Sequence, residues 1–384
     1  MSRICIFASH YFPYLGGIER YTYNLSKALM ALGDEVLIVT SNDVKEKEFE
    51  IMDGIGVLRL PCFNVMGGRY PVTKWNSDFR KLYKKLQDKE FDLVLINARF
   101  YPHTLLGAWF ARKKQIRCII LDHGTSHMTI GKRIPDMAFA AVEHAITYGD
   151  KLLCKEYFGV SKACCKWLEH FHIKAEGVLY NAVDAKKIAG IAEHPKENFR
   201  EKCGIDEDTA AIVYTGRLIK EKGIFKLIQA VEDINSSYKV CLFIAGDGEE
   251  MEAVKKLESD RVKPLGRLEL EQIASLLGQA QIYCLPTEYP EGFPTSVLEA
   301  AAAGCYVITT NRGGSGGLIL DETYGSILET VTSECLKEEL ERVLRNSGHS
   351  QEAAKKAQKR VQELFTWEKT AEKVHGLAER GNRK

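Results

Sequence analysis

Two glutamates in the segment PTEYPEGFPTSVLEAAAAG (286–304) are the strongest candidates for chemistry in this sequence. A strand ends at the proline-rich turn and a helix begins within GFPTSVLE, with Glu291 just before the helix and Glu299 eight residues later. Eight residues make about 2.2 helical turns, so both carboxylates can lie near one face, with Glu299 the deeper. A carboxylate accepts two hydroxyl hydrogen bonds at once, which suits a ribose or a hexose. The apolar neighbours of Glu299 predict that it is buried, and a buried charge requires a partner.

Two cations follow a second strand end, in VYTGRLIKEKG (213–223). The strand ends at Gly216, and Arg217 and Lys222 lie in the loop and first helical turn beyond it. This pair suits a diphosphate, since Arg grips two oxygens and Lys adds a point charge. The alternative is a pair of solvated surface charges, and the position at a strand end favours binding.

Gly16 and Gly17 follow the first predicted strand and precede a helix-like segment. Glycines there let the backbone approach a phosphate closely, although a lone Gly-Gly is a plain turn about as often. The pattern is not G-x-G-x-x-G, and only Asp43 follows the second strand, after a polar break. A dinucleotide-dependent dehydrogenase is therefore disfavoured.

Six segments of the chain resemble the family 4 retaining glycosyltransferases of the GT-B fold. EGFPTSVLE matches the E-x7-E pattern of that family, and all six occur in family order at family spacing. The segments are GGIERY (16–21), GVSKA (159–163), LYNAVD (179–184), TGRLIKEKG (215–223), IAGDGEE (244–250) and EGFPTSVLEAAAAG (291–304). The resemblance covers nearly the whole chain. It implies transfer of a hexose-type sugar from a nucleoside diphosphate sugar to a glycan or lipid-linked acceptor, with retention of configuration.

The resemblance also implies roles for the charged residues. Arg217 and Lys222, with Gly216 in the same loop, would hold the donor diphosphate and offset the charge of the leaving group. Glu299 would bind the ribose hydroxyls and Glu291 those of the transferred sugar. These assignments place the donor in the second half of the chain.

Backbone groups and one histidine complete the implied site. A turn would offer N–H groups to sugar and phosphate, and Gly16 and Gly17 would close from the other domain. The turn consists of Gly292, Phe293 and Pro294. His123, at the end of the strand RCIILDHG (117–124), matches a histidine beside the reacting face of the sugar, the alternative being a core or capping histidine.

No metal and no cofactor is predicted. The D-x-D triplet Asp206–Asp208 precedes the first strand of the second domain, far from the implied site in sequence. His127 lacks an H-E-x-x-H context and further ligands. Arg217 and Lys222 are expected to take the electrostatic role of a metal.

The identity of the donor is less constrained. UDP-sugars are the first expectation from the resemblance and GDP-mannose the second. Relatives carry a G-G-x-x-E turn after the last conserved strand, whereas this chain has NRGGSGGLILDE (311–322), with Gly316 and Gly317 at the polar positions. Contacts from that turn are therefore expected to be made by backbone or to be absent.

The candidate site residues lie at the ends of short apolar runs, which alternate with amphipathic stretches along the chain. These runs predict an α/β fold in which the strands of a parallel sheet are buried on both faces. The runs are 4–9, 35–40, 54–61, 92–97 and 117–124, then 211–216, 240–246, 261–266, 281–286 and 305–310. With the resemblance, they predict the GT-B architecture of two Rossmann-like doubly wound domains facing a central cleft.

The two rounds of strands set the predicted domain boundaries. Residues 1–190 form an acceptor-binding domain and residues 205–362 a nucleotide-sugar donor-binding domain, joined by the polar stretch AEHPKENFREKCG (192–204). The helix at 366–381 is expected to pack back on the first domain, as in relatives.

Composition excludes several classes of protein. Fifty-three Lys and Arg balance 52 Asp and Glu, so no global field favours nucleic acid. Eleven scattered cysteines without a C-x-x-C pair are typical of reduced thiols in a cytoplasmic protein. The N-terminal apolar stretch is too short for a signal peptide, and no run approaches the ~18 apolar residues of a membrane span. The chain is expected to be cytoplasmic, and soluble or peripheral at the inner face of the membrane.

A basic aromatic helix is predicted at KWNSDFRKLYKKLQDK (74–89), with a second basic cluster at 109–117. It could lie on an anionic membrane, or its apolar stripe could cover the sheet of the first domain. The stripe is Trp75, Phe79, Leu82, Tyr83 and Leu86, and the cations are Lys74, Arg80, Lys81, Lys84 and Lys85. The membrane alternative implies a lipid-linked acceptor, as in cell-surface polysaccharide or glycoconjugate biosynthesis.

Three other functions fit the architecture. A nucleotide-sugar epimerase needs an acid–base pair that E-x7-E does not supply, and a phosphorylase needs a phosphate or cofactor site of its own. A binding domain without turnover is disfavoured because the chain carries five candidate residues together: Glu291, Glu299, Arg217, Lys222 and His123.

Overall fold

The computed structural model describes residues 1–14, 16–43, 46–129 and 133–381, and it divides into two compact units. Unit 1 comprises residues Met1–Asn181 together with the C-terminal segment that starts at Trp367. Unit 2 comprises Ala182–Thr366.

Strands occur in both units, ten in the described part of unit 1 and six in that of unit 2. They are β1 (Arg3–Ala8), β2 (Glu35–Ser41), β3 (Phe49–Met52), β4 (Ile55–Leu60), β5 (Cys62–Val65), β6 (Tyr70–Thr73), β7 (Leu93–Asn97), β8 (Arg117–Asp122), β9 (Glu156–Gly159), β10 (Gly177–Val178), β11 (Ala210–Thr215), β12 (Val240–Ala245), β13 (Val262–Gly266), β14 (Ile282–Leu285), β15 (Tyr306–Thr310) and β16 (Ser326–Leu328).

Helices follow most of the strands. They are α1 (Gly17–Ala31), α2 (Ser77–Gln87), α3 (Pro102–Lys114), α4 (Arg133–Leu153), α5 (Lys162–Leu168), α6 (Ala185–Glu193), α7 (Phe199–Cys203), α8 (Ile224–Glu232), α9 (Met251–Lys255), α10 (Leu270–Leu277), α11 (Thr295–Ala302), α12 (Ser315–Leu318), α13 (Ser333–Arg345), α14 (Ser347–Leu364) and α15 (Trp367–Gly381). Two 3₁₀ turns span Glu169–Phe171 and Lys220–Lys222.

Each unit contains one large sheet. That of unit 1 has the order β10-β9-β8-β7-β1-β2-β4-β3, parallel except for the antiparallel edge strand β3, and that of unit 2 has the order β13-β12-β11-β14-β15-β16, parallel throughout. The central strands are buried on both faces, as their continuous Ile, Val and Leu runs predict. The predicted α/β class with two parallel sheets is therefore confirmed.

Each sheet has one point at which the strand order reverses, between β1 and β7 in unit 1 and between β11 and β14 in unit 2. Helices on the two sides of such a point leave a crevice beyond the carboxyl ends of the strands, where doubly wound folds bind ligands. Both points adjoin loops that the sequence analysis selected.

Helix α6 differs from the predicted boundary at residue 190. It packs on α10 and α11 and so belongs to unit 2, which starts at Ala182. The tight contact of Gly278 with Ala192 explains this packing, because a Cβ added at Gly278 would lie 2.3 Å from the carbonyl oxygen of Ala192.

The last helix, α15, lies in unit 1. Ala371, Val374 and Ala378 join the core on one face of the first sheet, next to Leu25 and Leu29 of α1. Nδ1 of His375 lies 2.8 Å from Oδ2 of Asp34, just beyond α1. The C-terminal segment is therefore part of the first core.

The basic helix α2 has its apolar stripe in the core of unit 1. The sequence left open whether this stripe contacts a membrane. Its residues are buried and cannot make that contact, except for Trp75, which is 65% exposed. The buried members are Phe79, Leu82, Tyr83 and Leu86. The cations of α2 remain on its exposed face.

Among the described residues, no helix combines the length and apolar character needed to cross a bilayer. All eleven cysteines are free thiols.

Candidate active site

The predicted donor residues lie at the reversal point of the unit 2 sheet. Gly216 and Arg217 follow β11 directly, and the turn containing Glu291 follows β14, the neighbouring strand. Because the carboxyl ends of parallel strands share one edge, the topology brings these two loops together.

Lys222 and Glu291 form the closest contact between the two loops. Nζ of Lys222 lies 3.0 Å from Oε1 of Glu291, and each side chain is 15% exposed. The hydroxyl of Thr287 lies 3.5 Å from the same carboxylate oxygen. A cation and a carboxylate thus converge at the strand ends, partly shielded from water.

Backbone hydrogen bonds hold the loops in register. The N–H groups of Glu288 and Tyr289 both donate to the carbonyl of Glu221, at 2.7 and 3.1 Å. The guanidinium of Arg217 lies 5.9 Å from the centre of the Tyr289 ring. Arg217 and Lys222 therefore belong to one ordered surface with the β14 turn.

Glycines allow these loops to pack backbone against backbone. A Cβ at Gly246 would lie 1.9 Å from the carbonyl oxygen of Gly216, and one at Gly223 would lie 2.3 Å from that of Pro286. Gly223 also has φ +72, which L side chains rarely adopt. A Cβ at Gly313 would lie 2.1 Å from the carbonyl oxygen of Glu291, so the glycine-rich turn after β15 supports the Glu291 turn through its backbone.

The helix start beyond Glu291 begins as predicted, at Thr295. Pro294 stands at the N-cap and no side chain of the described residues caps the helix. Phe293 is buried and packs edge-on against Phe365 at 5.2 Å between ring centres. Gly292, Phe293 and Pro294 thus form the ordered entry to a helix whose positive dipole end faces the strand edge.

Glu299 differs from the prediction in its environment. It was expected to be buried, but it is only partly buried, because the apolar neighbours Val297 and Leu298 point to the core while Glu299 lies on the other side of α11. Its charge adds to burial in raising the pKa of Tyr283. The hydroxyl of Tyr283 donates to the carbonyl of Thr215 at 3.2 Å, so Glu299 lies close to the end of β11.

Gly16 and Gly17 form the start of α1 in unit 1, with Gly16 at the N-cap. The carboxylate of Glu19 folds back over this start, so that a Cβ at Gly16 would lie 2.4 Å from its Oε2. Burial raises the pKa of Glu19. Hydrogen bonds to its carboxylate from its own N–H and from that of Gly16 lower the pKa, but burial is the larger effect. An acidic side chain therefore already occupies part of the helix start that was assigned to a phosphate.

His10 and Asp43 form a pair that the sequence analysis missed. Nδ1 of His10 lies 2.7 Å from Oδ2 of Asp43, and both side chains are buried. Burial lowers the pKa of His10, but the hydrogen bond and charge of Asp43 raise it further, and the net pKa is raised. The ring stacks on Tyr14 at 4.5 Å. The two residues follow β1 and β2, and the strand-end rule applied to both strands could have found them.

His123 lies directly after β8, as predicted, in a chain of hydrogen bonds. The Thr22 hydroxyl donates to the carbonyl of Ile18, and Nδ2 of Asn97 donates to Oγ1 of Thr22 at 2.7 Å. Oδ1 of Asn97 therefore accepts from Nε2 of His123 at 3.2 Å, which leaves Nδ1 as an acceptor. Burial lowers the pKa of His123 to about 3. His123 is thus a neutral imidazole at physiological pH.

Asp206 and Asp208, the D-x-D triplet, lie before β11 on the exposed surface. Asp208 pairs with Lys239 at 2.5 Å, and both side chains are largely exposed. The carboxylates of Asp206 and Asp208 are therefore exposed loop charges.

Two family models match the chain, one for each unit. "Glycosyltransferase Family 4" matches residues 15–187 and "Glycosyl transferases group 1" matches residues 195–360. The chain is a glycosyltransferase of the GT-B fold. The E-x7-E pattern and its two glutamates fall within the second match.

The relatives span nearly the whole chain at low identity. A glycosyltransferase of Methanocaldococcus jannaschii is 26% identical over 98% of this chain and 98% of its own length. The putative teichuronic acid biosynthesis glycosyltransferase TuaC of Bacillus subtilis is 28% identical over 85% of this chain and 81% of its own. The crystal structure of Anabaena HepE in complex with UDP shares the fold, with a TM-score of 0.75 at 17% identity over 99% of this chain and 100% of its own.

Proposed function

We propose that this GT-B glycosyltransferase transfers a hexose-type sugar from a nucleoside diphosphate sugar to a cell-surface glycan or lipid-linked saccharide, with retention of configuration and without a catalytic metal. A UDP-sugar is the first choice of donor and GDP-mannose the second. The observation that carries the proposal is the pairing of Lys222 with Glu291 at the reversal point of the unit 2 sheet, beside Arg217. The complex of HepE with UDP supports the choice of nucleotide.

The ion pair suggests how the donor enters. A diphosphate competes with Glu291 for Lys222, because two phosphate oxygens carry more charge than one carboxylate. Lys222 then neutralises the leaving group as the glycosidic bond breaks, with Arg217 as a second cation. Glu291, released from Lys222, accepts hydrogen bonds from sugar hydroxyls, and Glu299 does so for the ribose. Lys222 and Glu291 thus hold each other in place until the donor arrives.

The neutral ring of His123 is proposed to contact the transferred sugar. Its Nδ1 is an acceptor, so it is suited to receive a hydrogen bond from a hydroxyl of the sugar, and without a positive charge it does not oppose an oxocarbenium-like centre. Asn97 and Thr22 position the ring through their hydrogen bonds.

Helix α4 supports a membrane-linked acceptor, because it buries polar side chains and exposes apolar ones, the reverse of an ordinary amphipathic helix. Its inner face carries Glu143, Thr147 and Asp150, all buried. Its outer face is an apolar stripe that recurs at three- and four-residue steps and is exposed. The stripe is Ile134, Met137, Ala138, Ala141, Ala145, Tyr148 and Leu152.

Cations flank this stripe. Arg112 of α3 donates to the carbonyl of Leu152 at 2.6 Å, which places the last turn of α3, with Lys113 and Lys114, beside the end of the stripe. An exposed apolar helix face with a basic border suits an anionic lipid surface. We therefore assign the membrane contact to α4 and α3 instead of the apolar face of α2. The teichuronic acid biosynthesis in the name of TuaC supports a glycan acceptor.

A donor panel tests the proposal. Purified enzyme, radiolabelled UDP- and GDP-sugars and a lipid-linked acceptor should give a glycosylated product and free nucleoside diphosphate. NMR coupling constants should show the anomeric configuration of the donor. An inverted linkage would refute retention. An epimerised donor would indicate an epimerase, a phosphorolysis product would indicate a phosphorylase, and binding without turnover would indicate a binding domain.

A further inference from the structure

Three histidines from different elements of unit 1 meet at one point. His127 lies in the loop after β8, His144 lies on α4, and His170 lies in the 3₁₀ turn Glu169–Phe171. Nε2 of His170 lies 3.2 Å from Nε2 of His127 and 3.3 Å from Nε2 of His144. All three histidines belong to unit 1, whereas the proposed donor residues belong to unit 2.

The spacing of the nitrogen atoms fits a tetrahedral metal ion. With Zn–N bonds of about 2.0–2.1 Å, two nitrogen ligands of a tetrahedral zinc lie about 3.3–3.4 Å apart. All three candidate ligand atoms lie within 4.8 Å of one another. Two of the three nitrogen pairs, those that involve His170, already lie at this separation.

A buried carboxylate fixes the orientation of the first ligand. Nδ1 of His127 donates to Oε2 of Glu143 at 2.7 Å, which leaves Nε2 with its lone pair toward the cluster. The other oxygen of Glu143 accepts from Arg99 at 2.7 Å, and Arg99 also donates to Asp122. Two carboxylates and one guanidinium leave one net negative charge behind the imidazole. This is the carboxylate–histidine arrangement that supports zinc ligands.

Aromatic packing holds the other parts of the cluster. The ring of Trp167 stacks on His170, with centres 4.8 Å apart and planes at 5°. The ring of Phe171 lies 4.7 Å from that of His144 and 5.8 Å from that of His127. His144 and His170 are nevertheless exposed at their outer edges, so an ion can enter from solvent.

We propose that His127, His144 and His170 bind one divalent transition-metal ion of the zinc class, with water in the fourth position. The ion joins the loop after β8 to α4 and to the 3₁₀ turn Glu169–Phe171, and it restrains the loop residues between His123 and His127. Its role is structural and independent of the sugar transfer. No metal was predicted here because His127 has no H-E-x-x-H context and no further predicted ligands.

Metal titration of the full chain, without a histidine tag, tests the site. EDTA-treated and desalted protein should bind one Co²⁺ per chain with the intense visible absorption of a tetrahedral centre, and Zn²⁺ should displace it. Zinc should also raise the melting temperature of the protein, since an ion that binds only the folded state stabilises it.

Two variants identify the ligands. The double variant His144→Ala/His170→Ala should lose the tetrahedral spectrum and the thermal shift, while circular dichroism shows that it is folded. The control His349→Ala, which removes an exposed histidine of unit 2, should keep both. A weak octahedral cobalt spectrum, no saturable binding, or equal binding by the double variant would overturn the proposal. The three rings would then be a hydrogen-bonded chain of imidazoles without an ion.

Discussion

Nζ of Lys222 lies 3.0 Å from Oε1 of Glu291, although the two residues follow different strands of the unit 2 sheet. Each is only slightly exposed, so neither charge is fully solvated. A partly buried pair of this kind depends on both members, since loss of one leaves the other uncompensated. In the proposed donor site, the pair therefore links the stability of the loop to the binding of the donor.

Replacement of Lys222 tests this link. Lys222→Met should lower kcat/KM by about 10²–10³, because it removes a cation that stabilises the leaving group. The double variant Lys222→Met/Glu291→Gln should recover folding stability but not activity, because no buried charge is left unpaired. Steady-state kinetics and urea denaturation separate the two effects.

The control variant Lys226→Met removes a half-exposed lysine that pairs with Glu288, and it should retain activity. A Lys222→Met enzyme of normal kcat/KM would remove this residue from the site.

Chelation tests the metal-free transfer. With Arg217 and Lys222 in place of a metal, activity should be unchanged in EDTA and after readdition of Mg²⁺ or Mn²⁺. The melting temperature should fall in EDTA if the histidine cluster holds zinc. A strict requirement of turnover for Mg²⁺ or Mn²⁺ would contradict the proposed role of the two cations.

Asn97→Asp should introduce a new ionisation into the pH–rate profile. In the native enzyme the pKa of His123 is lowered to about 3, so this group does not titrate in the neutral range. A carboxylate at position 97 would raise that pKa, and kcat should then decline on the acid side as the ring becomes cationic. Asn235→Asp, at an exposed turn of unit 2, serves as control. An unchanged profile in Asn97→Asp would show that the charge of His123 has no effect on the reaction.

Acid should destabilise unit 1 well above pH 4. Burial lowers the pKa of His103 to about 4 and that of His123 to about 3, whereas the unfolded chain binds these protons near its ordinary value of about 6.5. These neutral rings contribute their full share of the free energy of unfolding above pH about 6.5. That share is lost as the pH falls from about 6.5 toward the pKa values of the folded protein. Urea midpoints measured between pH 7 and 4.5 should decline, and less steeply in His103→Gln. Parallel slopes for the two proteins would argue against a neutral His103.

Vesicle flotation tests the surface of α4. Met137→Glu and Tyr148→Glu should each reduce binding to anionic liposomes, because a charge enters the apolar stripe. Ser77→Glu, at the exposed start of α2, adds the same charge elsewhere on unit 1 and should have little effect. Charge reversal at Lys81, Lys84 and Lys85 measures the contribution of the α2 cations. Equal loss of binding in Ser77→Glu would show that net charge, and not the stripe, governs attachment.

The central strands of both sheets were predictable because they are buried on both faces and read as continuous apolar runs. β3, β9, β10 and β16 were missed because none of them contains an apolar run longer than two residues. The hairpin of β5 and β6 was missed for a different reason, since its first strand is mostly exposed and has no apolar run.

The convergence of Arg217 and Glu291 at one edge of the unit 2 sheet could be predicted because both residues lie within a few residues of strand ends. The same rule applied to β1 and β2 would also have selected His10 and Asp43. The three-histidine cluster could not be found in this way, because its members are far apart in sequence and only the packing of separate elements brings them together. Glu299 shows a further limit, because an apolar sequence around a residue does not fix the side of the helix on which it lies.

The backbone contacts of Gly216, Gly223 and Gly246 bear on how this enzyme can be altered. A side chain at Gly246 or Gly223 would collide with a carbonyl oxygen, so these positions tolerate almost no substitution. Selection for new donor specificity, in nature or in a laboratory library, must therefore act on neighbours such as Tyr289 and Thr287, whose side chains face the same edge. A library that randomises the glycines would consist mostly of misfolded variants, whereas one that keeps them and varies these neighbours samples sugar preference on an intact frame.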